Sequence, residues 1–261
     1  RARRRQLRGG ESVIAALLSA KALVLGAWFA LLTLGERFLP AAVRPRGEVR
    51  VARNVGLWLV NTAMNPFITL PISVGAAATQ AWTRPDLGWP GLVLDLVLLD
   101  LWTYAWHRAN HRWPLLWRFH RVHHLDQFLD VTSAVRFHPG EVLISALARA
   151  PLIIVADVSL TALLVFDAAM LAGALFHHSN LRLPRGAEAT LRVLLVTPSH
   201  HWVHHHVARA DTDSNYGAML TLWDRLFGSW SPTVRTPDMK IGAGDDADLP
   251  LTGLALAPLR R

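Results

Sequence analysis

DLWTYAWHRANHRWPLLWRFHRVHHLD, residues 100–126, passes from an apolar, aromatic half into a half that carries five histidines. On an α-helix, residues three and four apart share a face. HRANH therefore sets His107 and His111 side by side, and HRVHH does the same for His120, His123 and His124. A third cluster, HWVHH, repeats the spacing with His201, His204 and His205; a shifted frame also exists, because His200 and His204 lie four apart. Each cluster aims two or three imidazoles at a common point, and neutral imidazole suits iron, zinc, copper and nickel. One such pair alone reads as readily as a solvated helix face. Three together point to metal, because all 13 histidines fall between His107 and His206.

Working outward, the clusters adjoin apolar runs. Residues 12–35 are interrupted only by Lys21; as a helix they would span about 36 Å, enough for a hydrocarbon core of about 30 Å. A cleavable signal peptide is the competing reading, but the run is long for one. Residues 55–82 carry no formal charge and hold Pro66 and Pro71, which predict a kinked membrane helix. Residues 91–106 form a shorter run with Asp95 and Asp100, carboxylates that belong on a polar interior face. Residues 142–176, interrupted by Arg149, Pro151, Asp157 and Asp167, are too long for one helix and predict a hairpin turning near Asp157. The expected fold is all-α: an integral membrane bundle of about four membrane helices or hairpins under a histidine-rich helical cap. The tail from Ser231 is rich in Pro, Gly and Asp and is expected to be irregular. The expected units are residues 1–93 (N-terminal membrane helices), 94–230 (catalytic domain) and 231–261 (tail).

Composition agrees. The chain of 261 residues is 52% hydrophobic and only 18% charged, with a mean hydropathy of +0.25. Eleven Trp against two Tyr fit a chain touching the membrane–water boundary. The net charge of +8 suits nucleic acid or an anionic membrane, and the apolar content selects the membrane. The absence of cysteine removes disulfides, thiolate metal sites and thiol nucleophiles, so any metal has N or O ligands. Arg outnumbers Lys 25 to 2, a bias of GC-rich, bacterial genomes. Residues 83–90 hold one Arg, whereas 36–54 and 107–141 hold five each and the region from His177 holds nine Lys or Arg. The positive-inside rule then puts both histidine-rich segments in the cytoplasm. The arginine-rich start RARRRQLR conflicts with this orientation if one helix crosses after it.

Eight or more histidines exceed what a single metal uses, so two metals is the simplest count. Soluble di-iron bundles use Glu-x-x-His, which is absent here. The stretch of residues 100–126 resembles the fatty acid hydroxylase/sterol desaturase superfamily of membrane di-iron oxygenases, whose pattern is HxxxH, HxxHH and a later HxxHH. Further matches are RFHPGE (136–141), FHHSN (176–180), TPSHHWVHH (197–205) and NYGAMLTLWDRLFGS (215–229), so that the resemblance covers roughly residues 94–230. The resemblance implies His107, His111, His120, His123, His124, His178, His201, His204 and His205 as metal ligands. His138 is left open between a ligand and a partner to one, while His177, His200 and His206 read as extras. Ligating imidazoles need acceptors behind them; Asp100, Asp126, Asp130, Glu141 and Asp224 are the candidates, and Asn180 and Asn215 could orient ligands or hold a turn. The segment from Trp223 to Gly228 reads as packing, and the arginines of HRANH and HRVHH as headgroup or acidic-partner contacts. His138-Pro-Gly resembles the haem-binding motif of cytochrome b5, but Glu141 stands where that motif has Gly.

The resemblance further implies two iron ions (zinc can occupy such a site as purified), a lipid substrate from the bilayer, and a separate electron donor of ferredoxin or cytochrome type. The expected activity is O2-dependent hydroxylation or desaturation of a lipid C–H bond in a bacterial inner membrane, with the metal site facing the cytoplasm. A membrane metal transporter or metal-binding protein without oxygenase activity is the alternative, though transporters place their ligands near the midplane of the bilayer.

Overall fold

The computed structural model describes residues 21–46, 49–79, 81–244 and 246–259. Regular structure among them is helical, joined by three isolated β-bridges. Residues 21–38 form α1; the earlier part of the expected first membrane run, and the RARRRQLR start, lie outside the described residues. α2 (Val49–Met64) and α3 (Thr69–Ala78) are one apolar run bent by 44°. Pro66 lies in the break. Pro71 does not kink the chain as expected, because it occupies the first turn of α3, where a missing N–H leaves no helical bond unmade.

The apolar run at residues 91–106 proves to be part of a longer helix, α4 (Gly88–Arg112), of 25 residues. Its two buried carboxylates are matched. Asp95 takes both guanidinium ends of Arg84 at 2.6 and 3.0 Å, and Asp100 accepts from Trp223 Nε1 at 2.7 Å and from the amides of Met219 and Leu220. Pro114 then disfavours helical backbone at Trp113, which is extended and closes α4 while opening α5 (Pro114–His124). The chain folds back at once, so the histidine faces of two consecutive helices meet.

α6 (Pro139–Ala156) and α7 (Leu160–His178) make the expected hairpin: Asp157 closes α6 in the left-handed conformation (φ 50°) and Ser159 caps α7 through the amide of Ala162. These two helices are long and apolar enough to cross a membrane, and the bent α2–α3 pair makes a third such span. Only 17% and 33% of the apolar windows of α6 and α7 are buried, so most of that surface faces outward. Below the histidines, Leu99, Ile153, Leu163 and Phe166 pack the bundle interior.

The cap consists of α5, α8 (Arg185–Leu191), α9 (Pro198–His204), α10 (Arg209–Thr212), α11 (Leu222–Leu226) and the loops between them. In the tail expected to be irregular, Leu251–Leu256 form α12, whose Leu254 packs against Leu57 and Val122. Two arginines, Arg50 half-buried and Arg136 buried, lock cap to bundle. Arg50 of α2 pairs with Asp126 and Asp130. Arg136 is wholly buried and donates to the Val122 carbonyl oxygen, Asn54 Oδ1 and Asp248, joining α5, α2 and the tail. Replacing Arg136→Leu leaves the Val122 and Asn54 acceptors unpaired and Asp248 with Arg53 alone, a loss of about 1–3 kcal/mol. A marked fall in the melting temperature of detergent-solubilised protein is expected; an unchanged one would show that the anchor is dispensable.

Candidate metal centre

The nine histidines expected as ligands converge in two buried groups. His107, His111, His120, His124 and His204 form one; His123, His178, His201 and His205 form the other. Within each group, one nitrogen from every ring lies within 4.8 Å of the others. The i and i+4 partners stay together, as His107/His111, His120/His124 and His201/His205, whereas the i+3 residues His123 and His204 cross to the opposite group.

Local sequence explains how the rings are aimed. His120 Nδ1 donates to Glu141 Oε1 at 2.7 Å. His107, His123 and His204 donate through Nδ1 to the carbonyl oxygens of Tyr216 (2.9 Å), Arg136 (3.1 Å) and Ser214 (2.7 Å), and His178 to that of Ala174 (2.8 Å). Oxygen behind Nδ1 fixes the tautomer and leaves the Nε2 lone pair pointing inward. RFHPGE serves this arrangement residue by residue. Arg136 supplies a carbonyl and Phe137 stacks on the His123 ring at 4.6 Å. His138 caps α6 through the amide of Gly140 and Pro139 starts that helix. Gly140 clears Phe119, whose ring would stand 2.6 Å from a Cβ there, and Glu141 reaches His120.

The donor set fits a metal on grounds of its own chemistry. His123 and His178 both carry their proton on Nδ1, so their Nε2 atoms, 3.0 Å apart, face each other as two lone pairs rather than as a hydrogen bond. His178 and His201 Nε2 are also 3.0 Å apart, and His201 and His205 Nε2 3.1 Å. Nitrogens bound to one metal by bonds of about 2.1 Å lie about 3.0–3.4 Å from one another. In the other group, Nε2 of His111, His120, His124 and His204 is buried without a partner. A cation at each centre would satisfy both sets. Burial, and then neighbouring imidazoles, hold His123, His124, His201, His204 and His205 well below the ordinary histidine range, so the rings stay neutral and able to ligate.

The remaining histidines have other places. His138 belongs to neither group: besides its cap, its Nε2 meets the Ala255 carbonyl oxygen. His200 bonds Asp224 at 3.2 Å, His206 bonds Asp211 at 2.8 Å, and His177 lies buried against His201. Of the five carboxylates expected behind the ligands, Glu141 bonds a ring of the two groups, His120, directly. Asp224 instead accepts from the amides of Tyr216 and Gly217, which holds in place the loop whose carbonyl receives His107. Asn215, at φ 50°, ties that loop to His200 and Ser231. Asn180 bonds the backbone of Ala42 at both ends of its amide. Asp126 and Asp130 serve Arg50. Sequence reasoning missed Asp213, 3.6 Å from His111 Nδ1, because its segment RADTDS carries no ligand-like spacing. It also missed the backbone carbonyls, which have no side-chain signature. Arg108 reaches Tyr104 and the Phe227 carbonyl, and Arg121 reaches Asp246.

Both groups open on one cavity of about 530 Å³, walled by α2, α4, α6 and α7, whose apolar lining includes Trp58, Trp106, Val142, Met170 and Leu171. Comparison with known proteins agrees with this geometry. The sequence profile of the fatty acid hydroxylase family matches residues 92–229, more than half of the chain and all of its histidines. The chain belongs to the fatty acid hydroxylase family. Among curated relatives of this family member, the ornithine lipid hydroxylase OlsE of Rhizobium tropici is 29% identical over 80% of the chain and 61% of its own length. Alkylglycerol monooxygenases of Danio rerio and Homo sapiens are 32% and 30% identical over 51% of the chain, and over 29% and 28% of their own lengths. The chain thus spans less than two thirds of each of these relatives. No solved structure matches it.

Two outcomes follow for this fatty acid hydroxylase family member. Glu141→Ala removes the acceptor that orients His120 and is expected to weaken metal affinity about 10- to 100-fold, read by competition with a chelator; unchanged affinity would mean that the ring is aimed by packing alone. The pH dependence has a definite sign. The unfolded chain takes up protons near the ordinary histidine value of about 6.5, and the buried rings take them up only at lower pH. Stability of the metal-depleted protein is therefore lost as pH falls below about 6.5. Its melting temperature should be lower at about pH 5.5 than at about pH 7.5; equal values would contradict buried neutral imidazoles.

Proposed function

We propose that this protein is an integral-membrane, O2-dependent lipid hydroxylase in which the two histidine groups hold a pair of iron ions. The observation that carries the reading is the joint exposure of both imidazole groups to a single apolar cavity between membrane helices. The relatives' names, a lipid hydroxylase and monooxygenases, support the reaction type. Redox-capable iron, when bound, supplies the activation of O2 that no side chain can perform, whereas zinc in the same ligands cannot change oxidation state. In the reaction, one oxygen atom of O2 enters a C–H bond and the other leaves as water. A separate protein of ferredoxin or cytochrome type supplies the two electrons, and solvent the two protons.

The chain's own residues do the rest. The five Nδ1 contacts hold ring nitrogens in place, and the apolar wall admits a hydrocarbon while excluding water from the reacting carbon. The arginine-rich segments around the cap favour a cytoplasmic centre in a bacterial inner membrane, where electrons arrive from the aqueous side as the lipid enters from the bilayer. Metal analysis of purified protein should find two irons per chain, with loss of metal and activity in His120→Ala and His204→Ala. Oxygen uptake should require both lipid and reductant, with the product heavier by one oxygen atom. Full iron loading in either variant would sink the ligand assignment, and metal uptake into vesicles without oxygen consumption would favour a transporter.

A further inference from the structure

Asp213 follows α10 directly and belongs to neither histidine group. Its Oδ2 takes the guanidinium of Arg209 at 2.7 Å. Its Oδ1 is buried without a hydrogen-bond partner and stands 3.6 Å from Nδ1 of His111, which is itself buried without a partner. Arg209 fixes this approach from outside. It also donates to the His111 carbonyl oxygen at 3.2 Å, and it lies over the ring of Trp117, which packs on His111 and His124. At 3.6 Å the contact is longer than a hydrogen bond, so it acts through charge. It strengthens when the ring gives electron density to a cation. Arg209 is mostly exposed, so solvent screens its own charge.

We infer that Asp213 is a positioning residue for His111, as Glu141 is for His120, and that these two carboxylates make the histidine groups unequal: the group of five takes a divalent cation first and holds it more tightly. Both acids stand behind that same group. Among the described residues no carboxylate pairs with a ring of the group of four; the remaining acid–imidazole pairs belong to His200 and His206. Acids elsewhere in the cap answer other groups. Glu36 accepts from the amides of Val131 and Asn180, and Asp126 and Asp130 pair with Arg50. On the side of the group of four stands a cation, Arg235, 3.7 Å over the ring of Trp202, the neighbour of His201. It bonds the Leu181 carbonyl oxygen and Asn180 Oδ1. Negative charge behind a ligating ring raises its basicity and favours a bound cation, whereas a guanidinium nearby opposes one. The inference rests on the two-ion reading above.

Zinc, which needs no control of oxidation state, is titrated from a chelator buffer into the metal-depleted full chain in lipid nanodiscs, and bound ions are counted by native mass spectrometry. Two steps at least about tenfold apart are expected. His205→Ala should remove the weaker step and spare the tighter, which assigns the tighter to the group of five. Asp213→Asn keeps the size and an acceptor oxygen but removes the charge. It should weaken the tighter step about 10- to 100-fold and leave the weaker step unmoved, and Glu141→Gln should do the same. If Asp213→Asn does not fold, Asp213→Ser carries the same comparison. Two ions of equal affinity in the unaltered chain, loss of the tighter step in His205→Ala, or an unchanged titration in Asp213→Asn overturns the inference and leaves the two-ion reading standing. Equal weakening of both steps by Asp213→Asn marks a purely structural role for the loop and also overturns it. A chain that takes one ion, weakened by Asp213→Asn and untouched by His205→Ala, keeps the inequality and removes the two-ion reading alone.

Discussion

Nine imidazoles share one interior only because the rings are turned to present nitrogen lone pairs to common points. That orientation is unstable in itself, as the facing Nε2 atoms of His123 and His178 show. For five of the nine rings it is imposed from behind by oxygens: one carboxylate, Glu141, and the backbone carbonyls of Arg136, Ala174, Ser214 and Tyr216. The rest of the cap can be understood as support for those oxygens. Asp224 pins the backbone of Tyr216 and Gly217, and Gly217 is free of a side chain because a Cβ would stand 2.8 Å from that carboxylate. Asp100, on the bundle, grips the next residues of the same loop. The Trp223 to Gly228 segment, which reads as packing, earns its place through this chain of contacts: Trp223 bonds Asp100 and Asp224 bonds the loop.

How much of this was legible depended on whether the cause was local. The i, i+3 and i+4 spacings follow from helical geometry and predict which rings share a face. Asp157 marks the turn of the hairpin. The partition into two groups was not legible. His123 and His124 are adjacent in sequence yet belong to different groups, as do His204 and His205. A cluster in the sequence is therefore not a coordination sphere. Each HxxHH motif keeps its i, i+4 pair together and lends its remaining ring across, which links the two centres through α5 and α9. Only the tertiary approach of those helices shows this. The carbonyl acceptors were invisible for a different reason, since every residue has one. The α2–α3 bend was half legible: two prolines marked the region, but helix position decided which one mattered.

The buried charges were readable as a problem and not as a solution. Asp95 and Asp100 in an apolar run call for polar partners. The partners come from far along the chain: Arg84 from the preceding loop for one, and the amides and indole of residues 219–223 for the other. Arg136 shows the same feature in reverse, a cation within RFHPGE whose task is to gather α2, α5 and the tail.

The location of the histidines at the ends of the apolar helices follows from two demands that conflict elsewhere. Apart from that of Ala174 inside α7, the carbonyls that receive ring N–H groups are ones not spent on helical hydrogen bonds, which requires irregular chain. Residues 136, 214 and 216 are all non-helical. Irregular backbone is intolerable where lipid surrounds it, because unpaired peptide groups cannot be left in hydrocarbon. The apolar cavity between the helices makes the opposite demand, for walls of continuous helix. Only the level at which α4 and α7 end and α6 begins meets both. There, His107 and His111 occupy the last turns of α4, His178 ends α7, and Glu141 lies in the first turn of α6. Moving the rings two turns deeper would strip them of acceptors, and moving them outward would detach them from the cavity.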